Sequence, residues 1–315
     1  MRFPRGAVFL GALAVVLTAA CNPKPAPGPT AVPSTGTGSP TATPTATIPV
    51  PRYDHVVIAI FENHRYGSVI GNPDAPYLSS LAGQGANFTQ SFAVAHPSQP
   101  NYLALYSGAT QGVTNDSCPH TFSGDNLGHQ LTAAGFTFIG YSESMPEDGY
   151  PGCGSDGYAR KHNPWVNFSN VPAASNLRFS RFPADLTTLP TLSFVVSNLC
   201  NDMHDCPVRT GDTWARDNLD AYVKWAGTHN SLLILTFDED DRFGGNRIPT
   251  VFVGQGVRAG DYTERIDHYR VLRTLEDMYG LAALGDAASR EPITDIWAPP
   301  ASGTSSGPPA TSTTR

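Results

Sequence analysis

Three short clusters in this chain carry side chains able to hold a cation or move a proton: Glu62-Asn63-His64, then Asn198 with Asp202, His204 and Asp205, and finally Asp238-Glu239-Asp240-Asp241. Carboxylate and amide oxygens bind hard cations, and imidazoles exchange protons near neutral pH. Taken singly, each is ordinary. An acidic run is commonly a solvated turn, and a lone histidine is more often structural than catalytic. Asp238–Asp241 does not open an EF-hand, because Pro249 stands where the loop's twelfth-position Glu belongs.

Their position sets them apart, since each comes directly after an apolar run. The runs are His55 to Phe61, Leu192 to Val196 and Leu232 to Phe237, with two more at Phe136 to Tyr141 and Pro249 to Val253. Near-continuous Val, Ile, Leu and Phe reads as strands buried on both faces, as in a parallel sheet covered by helices. Ala215, Leu219, Tyr222, Val223 and Ala226 recur at helical spacing, as do Val271, Leu272, Leu275, Met278 and Tyr279. The expected fold is α/β, a central, mostly parallel sheet flanked by helices. Open sheets of this kind place their sites beyond the carboxyl ends of the strands, so the three clusters should share one edge and form one site.

Two other motifs lead elsewhere. Gly254-Gln255-Gly256-Val257-Arg258-Ala259 fits GxGxxA, but Gly260-Asp261-Tyr262-Thr263 does not open the helix a dinucleotide needs. Gly140-Tyr141-Ser142-Glu143-Ser144 lacks the last glycine of a nucleophile elbow, which makes Ser142 esterase chemistry a minor alternative.

With 315 residues, 40% hydrophobic and 15% charged, the chain suits one globular domain with a sizeable core. A net charge of −7 without a basic stripe argues against a nucleic-acid partner. Arg2 and Arg5 precede an apolar run from Ala7 to Leu17 and then small residues, the pattern of an export signal over residues 1–21. The run falls short of the roughly 20 residues of a membrane span. Thr18-Ala19-Ala20-Cys21 resembles a lipobox, in which Cys21 would be lipidated and tether the protein to a membrane; simple cleavage near Ala20 is the other reading. Both put the protein outside the cytoplasm.

Residues 22–51 form a Pro-, Thr- and Ser-rich linker, and residues 300–315 repeat that composition as a disordered tail. The folded domain is assigned to residues 52–299. Setting Cys21 aside leaves four cysteines and three pairings. Cys200 and Cys206 are near enough in sequence to close a small loop, which leaves Cys118 for Cys153. The rival, a zinc site, lacks the usual CxxC spacing.

Five segments in order, Phe61-Glu62-Asn63-His64, His96-Pro97-Ser98-Gln99-Pro100-Asn101-Tyr102, Tyr158-Ala159-Arg160-Lys161-His162-Asn163-Pro164, Asn201-Asp202-Met203-His204-Asp205 and Phe237-Asp238-Glu239-Asp240-Asp241, resemble the bacterial acid phosphatase and phospholipase C phosphoesterase family, within the alkaline-phosphatase-like superfamily. The resemblance implies that Glu62 and Asn63 form one metal-ligand pair, Asp238 and Glu239 the second, and Ser98 the nucleophile. Where the family often has two aspartates, this chain has Asp238-Glu239. Lys161, His162 and His204 match positions facing the phosphate, the histidines with catalytic roles, and Asn101 falls with the substrate-binding positions.

The chemistry is coherent without the analogy. A serine hydroxyl is a weak nucleophile, and a bound cation lowers its pKa while offsetting phosphoryl charge. Hard oxygen ligands favour one calcium, magnesium or manganese ion over zinc. Nearby histidines could protonate a leaving alcohol, which favours mildly acidic operation. For Ser98 the plain alternative is an ST-turn before Pro100. The expected enzyme is an exported, metal-dependent phosphomonoesterase working through phosphoserine on phosphate esters, phosphoinositide headgroups among them. The runner-up is a phospholipase C-type phosphodiesterase, disfavoured because Glu62-Asn63-His64-Arg65-Tyr66-Gly67 departs from that branch's Glu-Asn-Arg-Ser-Phe-Asp. A tethered metal-binding lipoprotein without catalysis is the reading of another class.

Overall fold

The computed structural model describes residues 49–299. The export signal, Cys21, most of the linker and the tail lie outside the described residues.

Eight strands form the main sheet: β1 (His55–Phe61), β2 (Ala86–Phe88), β3 (Phe138–Ser142), β4 (Asn176–Arg178), β5 (Leu192–Val196), β6 (Ser231–Phe237), β7 (Thr250–Gly254) and β8 (Gly260–Tyr262). Their order across the sheet is β8-β2-β7-β6-β1-β5-β3-β4. All run in one direction except β7, which is antiparallel to both β6 and β2. The α-helices of the described residues are α1 (Tyr66–Val69), α2 (Pro76–Gln84), α3 (Ser98–Ser107), α4 (Leu127–Ala133), α5 (Val208–Ala226) and α6 (His268–Tyr279). The sheet is thus mostly parallel and flanked by helices, as expected. The five apolar runs are strands, and the three strands without a sequence signature, β2, β4 and β8, are three residues each.

β1 is central, and its residues serve both faces in alternation. Val56, Ile58 and Ile60 pack into one buried cluster with α3 and α6. Val57, Ala59 and Phe61 pack into the other with α2 and α5. The residues read at helical spacing on α5 and α6 are all buried. Gly140 in β3 has a specific cause: a Cβ there would lie 2.1 Å from the Trp165 ring. That ring sits three residues after His162, so the missing side chain seats a segment of the site.

Register does more for function than composition. Phe61 pairs with Phe237 across β1 and β6, and Ile60 pairs with Val196 across β1 and β5. The three strands therefore end level, and the segments that leave them emerge side by side. Asp238 N–H donates to Phe61 O at 2.9 Å, and Glu62 N–H donates to Asp202 O at 2.8 Å. Two disulfides form with the expected pairing, Cys118–Cys153 and Cys200–Cys206. Neither tempting motif is what it imitates. The segment after Gly254-Gln255-Gly256 leads into β8 rather than a helix, and Ser142 is buried with its hydroxyl donating to Asn163 Oδ1.

Candidate active site

Ser98 opens α3, whose ten residues are all buried. Its hydroxyl donates to Glu62 Oε2 at 3.0 Å, which is not the backbone contact of an ST-turn. A serine at a helix start lies where the first N–H groups and the helix dipole favour negative charge. One turn later on the same face, Tyr102 donates to Glu62 Oε1 and stacks on the His162 ring at 5.1 Å. Asn63 takes φ +56, a left-handed conformation that Asn tolerates better than most residues. That turn brings its N–H to Asp238 Oδ1 at 2.9 Å and its amide to Glu62 Oε2 at 3.3 Å. Asp238 also lies within hydrogen-bonding reach of Ser98 and Glu62.

A second group shares Glu62. His162 places Nε2 3.2 Å from Glu62 Oε1 and Nδ1 3.4 Å from Asp202 Oδ2. Ligand atoms of Glu62, His162 and Asp202 all lie within 4.8 Å of one another, and all three residues are buried. Asp202 is held by the Cys200–Cys206 loop, where its Oδ1 accepts the His204 N–H at 2.8 Å.

The electrostatics are those of anions confined without enough counter-charge. Burial, then Asp238 and Asp202, hold Glu62 well above the usual carboxylate range. Burial likewise pushes Asp202, Asp238 and Glu239 up to about 7. Asp238 Oδ2, Asp202 Oδ2 and His162 Nε2 are buried with no hydrogen-bond partner among the described residues. Buried polar atoms are normally satisfied, and repelling carboxylates persist when a cation binds between them. The residues therefore fit a divalent metal ion. The donor set is not wholly hard, because an imidazole nitrogen stands in the tightest group, and it does not select one metal.

Other expected residues fall differently. Glu239 is buried but turns to His96 Nδ1, while His96 Nε2 lies 3.4 Å from Asp240 Oδ1. Lys161 and His204 face each other at 3.4 Å, with Lys161 held by Asp116 at 2.9 Å and His204 Nδ1 by Asp205 at 2.6 Å. Desolvation keeps the buried His162 well below its ordinary pKa, while His204 is partly exposed. Asn101 is hydrogen-bonded within its own loop. Its amide accepts from Val94 and Ala95 N–H at 3.0 and 2.9 Å and donates to Ala95 and Pro97 O, which shapes the loop leading to Ser98.

Two contributors were outside the expected set, while Asp202 belongs to the second cluster read as able to hold a cation. Tyr102 lies inside a motif and was legible there by its spacing of four from Ser98. Asp116 comes from a loop with no pattern. It accepts the Gln99 N–H at 3.0 Å as well as a hydrogen bond from Lys161, and so joins the start of α3 to Lys161.

A mostly parallel sheet whose strand ends gather buried carboxylates around a helix-initiating serine is an arrangement suited to phosphoric ester hydrolysis. Residues 72–282 match the phosphoesterase family, and the chain belongs to it. It is 51% identical over 251 residues to the phosphatidylinositol-3-phosphatase of Mycobacterium tuberculosis, an alignment covering 79% of this chain and 84% of that one. It is 33% identical over 229 residues to a phosphate-repressible acid phosphatase of Penicillium chrysogenum, covering 66% of this chain but only 55% of the fungal protein. In fold it is similar to a Vibrio parahaemolyticus protein of the alkaline phosphatase superfamily, with a TM-score of 0.54 at 15% identity over 79% of this chain and 73% of that one. Enzyme relatives at this identity set aside the reading of a non-catalytic binding protein.

Proposed function

We propose that this chain is an exported phosphomonoesterase that cleaves phosphate esters, phosphoinositide headgroups among them, through a phosphoserine at Ser98. The observation that carries the reading is Ser98 Oγ, buried at the start of α3, 3.0 Å from Glu62 and beside Asp238. Glu62 and Asp238, with Asn63 and Glu239, would hold one divalent cation, calcium, magnesium or manganese by the oxygen character of that set, and His162 and Asp202 would adjoin it through Glu62. When bound, the ion would lower the hydroxyl pKa and offset phosphoryl charge. The similarity to a phosphatidylinositol-3-phosphatase over most of both chains supports phosphoinositides as a substrate class. The two disulfides and the signal-like residues 1–21 support export.

Ser98 Oγ passes its proton to the Glu62 carboxylate that it hydrogen-bonds and bonds to phosphorus as the ester P–O bond breaks. The alcohol leaves with a proton from His204, which Asp205 orients and Lys161 adjoins. Water then gives a proton to His204 and attacks phosphorus, the Oγ–P bond breaks, and inorganic phosphate leaves as Glu62 returns the proton to Ser98 Oγ. Lys161 and the helix N–H groups face the phosphoryl oxygens and supply positive potential.

Ser98→Ala tests the reading directly. Turnover of p-nitrophenyl phosphate should fall at least a thousandfold, on the order found when a covalent nucleophile is lost, and acid quenching of wild type should leave phosphate on the peptide spanning His96 to Tyr102. Near-normal activity of Ser98→Ala, or inversion at phosphorus on transfer to an added alcohol, would show direct attack by water instead.

A further inference from the structure

Phe243 is 86% exposed, and among the described residues it is the one large apolar side chain left in solvent. Isolated exposed apolar residues are common on protein surfaces and by themselves mean little. Phe243 differs in where it stands and how it is held. It sits at the tip of the loop joining β6 to β7, five residues after Asp238, at the same sheet edge as Glu62 and Ser98.

That loop is built around Asp240, a buried carboxylate that accepts the N–H groups of Arg242, Gly244 and Asn246 at 2.7, 2.7 and 2.8 Å. Asn246 accepts the Asp240 N–H at 3.0 Å and donates to Ala95 O at 2.9 Å, which ties the loop to the segment before Ser98. Arg242, Gly245 and Asn246 take φ of +68, +66 and +62, and a Cβ at Gly244 would lie 2.7 Å from Arg65 Cβ. Left-handed backbone at non-glycine positions persists only where the surroundings enforce it. The Phe243 ring is therefore displayed by a fixed support. Beside it, Arg242 is exposed and forms no ion pair among the described residues, and its charge acts on Glu239. An exposed arginine next to a protruding ring suits an anionic surface with an apolar layer beneath. Aromatic rings and basic side chains favour that boundary of a bilayer.

We infer that the Arg242-Phe243 tip docks the enzyme on an anionic membrane, with the ring entering the headgroup boundary and Arg242 meeting a lipid phosphate. Docking turns the Glu62–Ser98 edge toward lipid headgroups, and to that extent it rests on the phosphoinositide reading of the substrate.

The test uses the whole domain with phosphatidylcholine vesicles, with and without phosphatidylserine, in co-sedimentation. Wild type should partition to the serine-lipid vesicles, Phe243→Ser roughly tenfold less, as expected for losing one buried aromatic ring. Arg242→Gln should lose the preference for anionic lipid, and Phe243→Trp should retain binding with a blue-shifted emission. Phe243→Ser and Phe243→Trp should hydrolyse p-nitrophenyl phosphate like wild type, whereas Phe243→Ser should act about tenfold more slowly on a phosphoinositide carried in vesicles. Vesicle binding by Phe243→Ser equal to wild type, or no wild-type binding at all, overturns the proposal, and so does an equal loss on the soluble ester, which would make the ring a substrate contact. Wild type that binds phosphatidylserine vesicles yet leaves phosphoinositide intact refutes the substrate reading alone and supports docking.

Discussion

Replacing Asp238 by asparagine should stabilise the metal-free protein at neutral pH while abolishing its stabilisation by metal. Asn keeps the Oδ1 that accepts the Asn63 N–H, so the perturbation removes charge with little change of shape. The folded pKa of Asp238 is about 7 against an ordinary 3.8, so between those values the folded state binds more protons than the unfolded one. Stability then falls as pH rises through that window, and is greatest below it. At about 1.4 kcal/mol per unit, the effect of one such group is on the order of 4 kcal/mol. The first proton taken up relieves Glu62, Asp202 and Glu239 as well, so the cluster as a whole is assigned roughly the effect of one group. In a domain of this size that corresponds to a Tm difference on the order of 10 °C. The assay is scanning calorimetry with chelator at pH 5 and pH 7.5, for wild type and Asp238→Asn. Taking the difference between the two proteins cancels other titrating groups, such as Glu276, which burial also pushes up to about 7. Asp238→Asn should gain on wild type at pH 7.5 and not at pH 5, and added divalent cation should restore wild type alone. Equal loss of stability at both pH values would mean that the carboxylate is structurally favourable and that the charge-confinement argument fails.

Tyr102→Phe keeps the stack on His162 and deletes one hydrogen bond to the Glu62 carboxylate; activity should fall about tenfold, with a higher metal concentration needed for half-activation, as expected for a charge-assisted bond of about 1.5 kcal/mol or more. An unchanged metal titration would assign Tyr102 to packing only. Cys200→Ser with Cys206→Ser opens a loop whose closure is worth about 2 kcal/mol in the chain-entropy model. Since that loop carries Asp202 and His204, activity at 25 °C should drop more than the melting curve alone explains, and activity in proportion to the folded fraction would contradict this.

The strand framework, and the edge that carries chemistry, are written in local sequence. Uninterrupted runs such as His55–Phe61 and Leu232–Phe237 can be buried on both faces only inside a covered sheet, and polar clusters directly after them must leave at its carboxyl edge. The two disulfides were equally legible, because Cys206 follows Cys200 by only six positions and two cysteines remained. Strands β2, β4 and β8 were not, since three residues show no period and pair only because longer neighbours offer them an edge. Which ligands share a cation was also outside local reach. It depends on the register that sets Phe61 beside Phe237 and on the disulfide loop that turns Asp202 toward His162. Asn101 sits in a site motif yet serves only the backbone of its own loop, and Asp116 sits in none yet holds both Lys161 and the start of α3. Side-chain type can be read along the chain, but the direction a side chain takes is set by packing between segments far apart in sequence, and so it emerges only in the folded molecule.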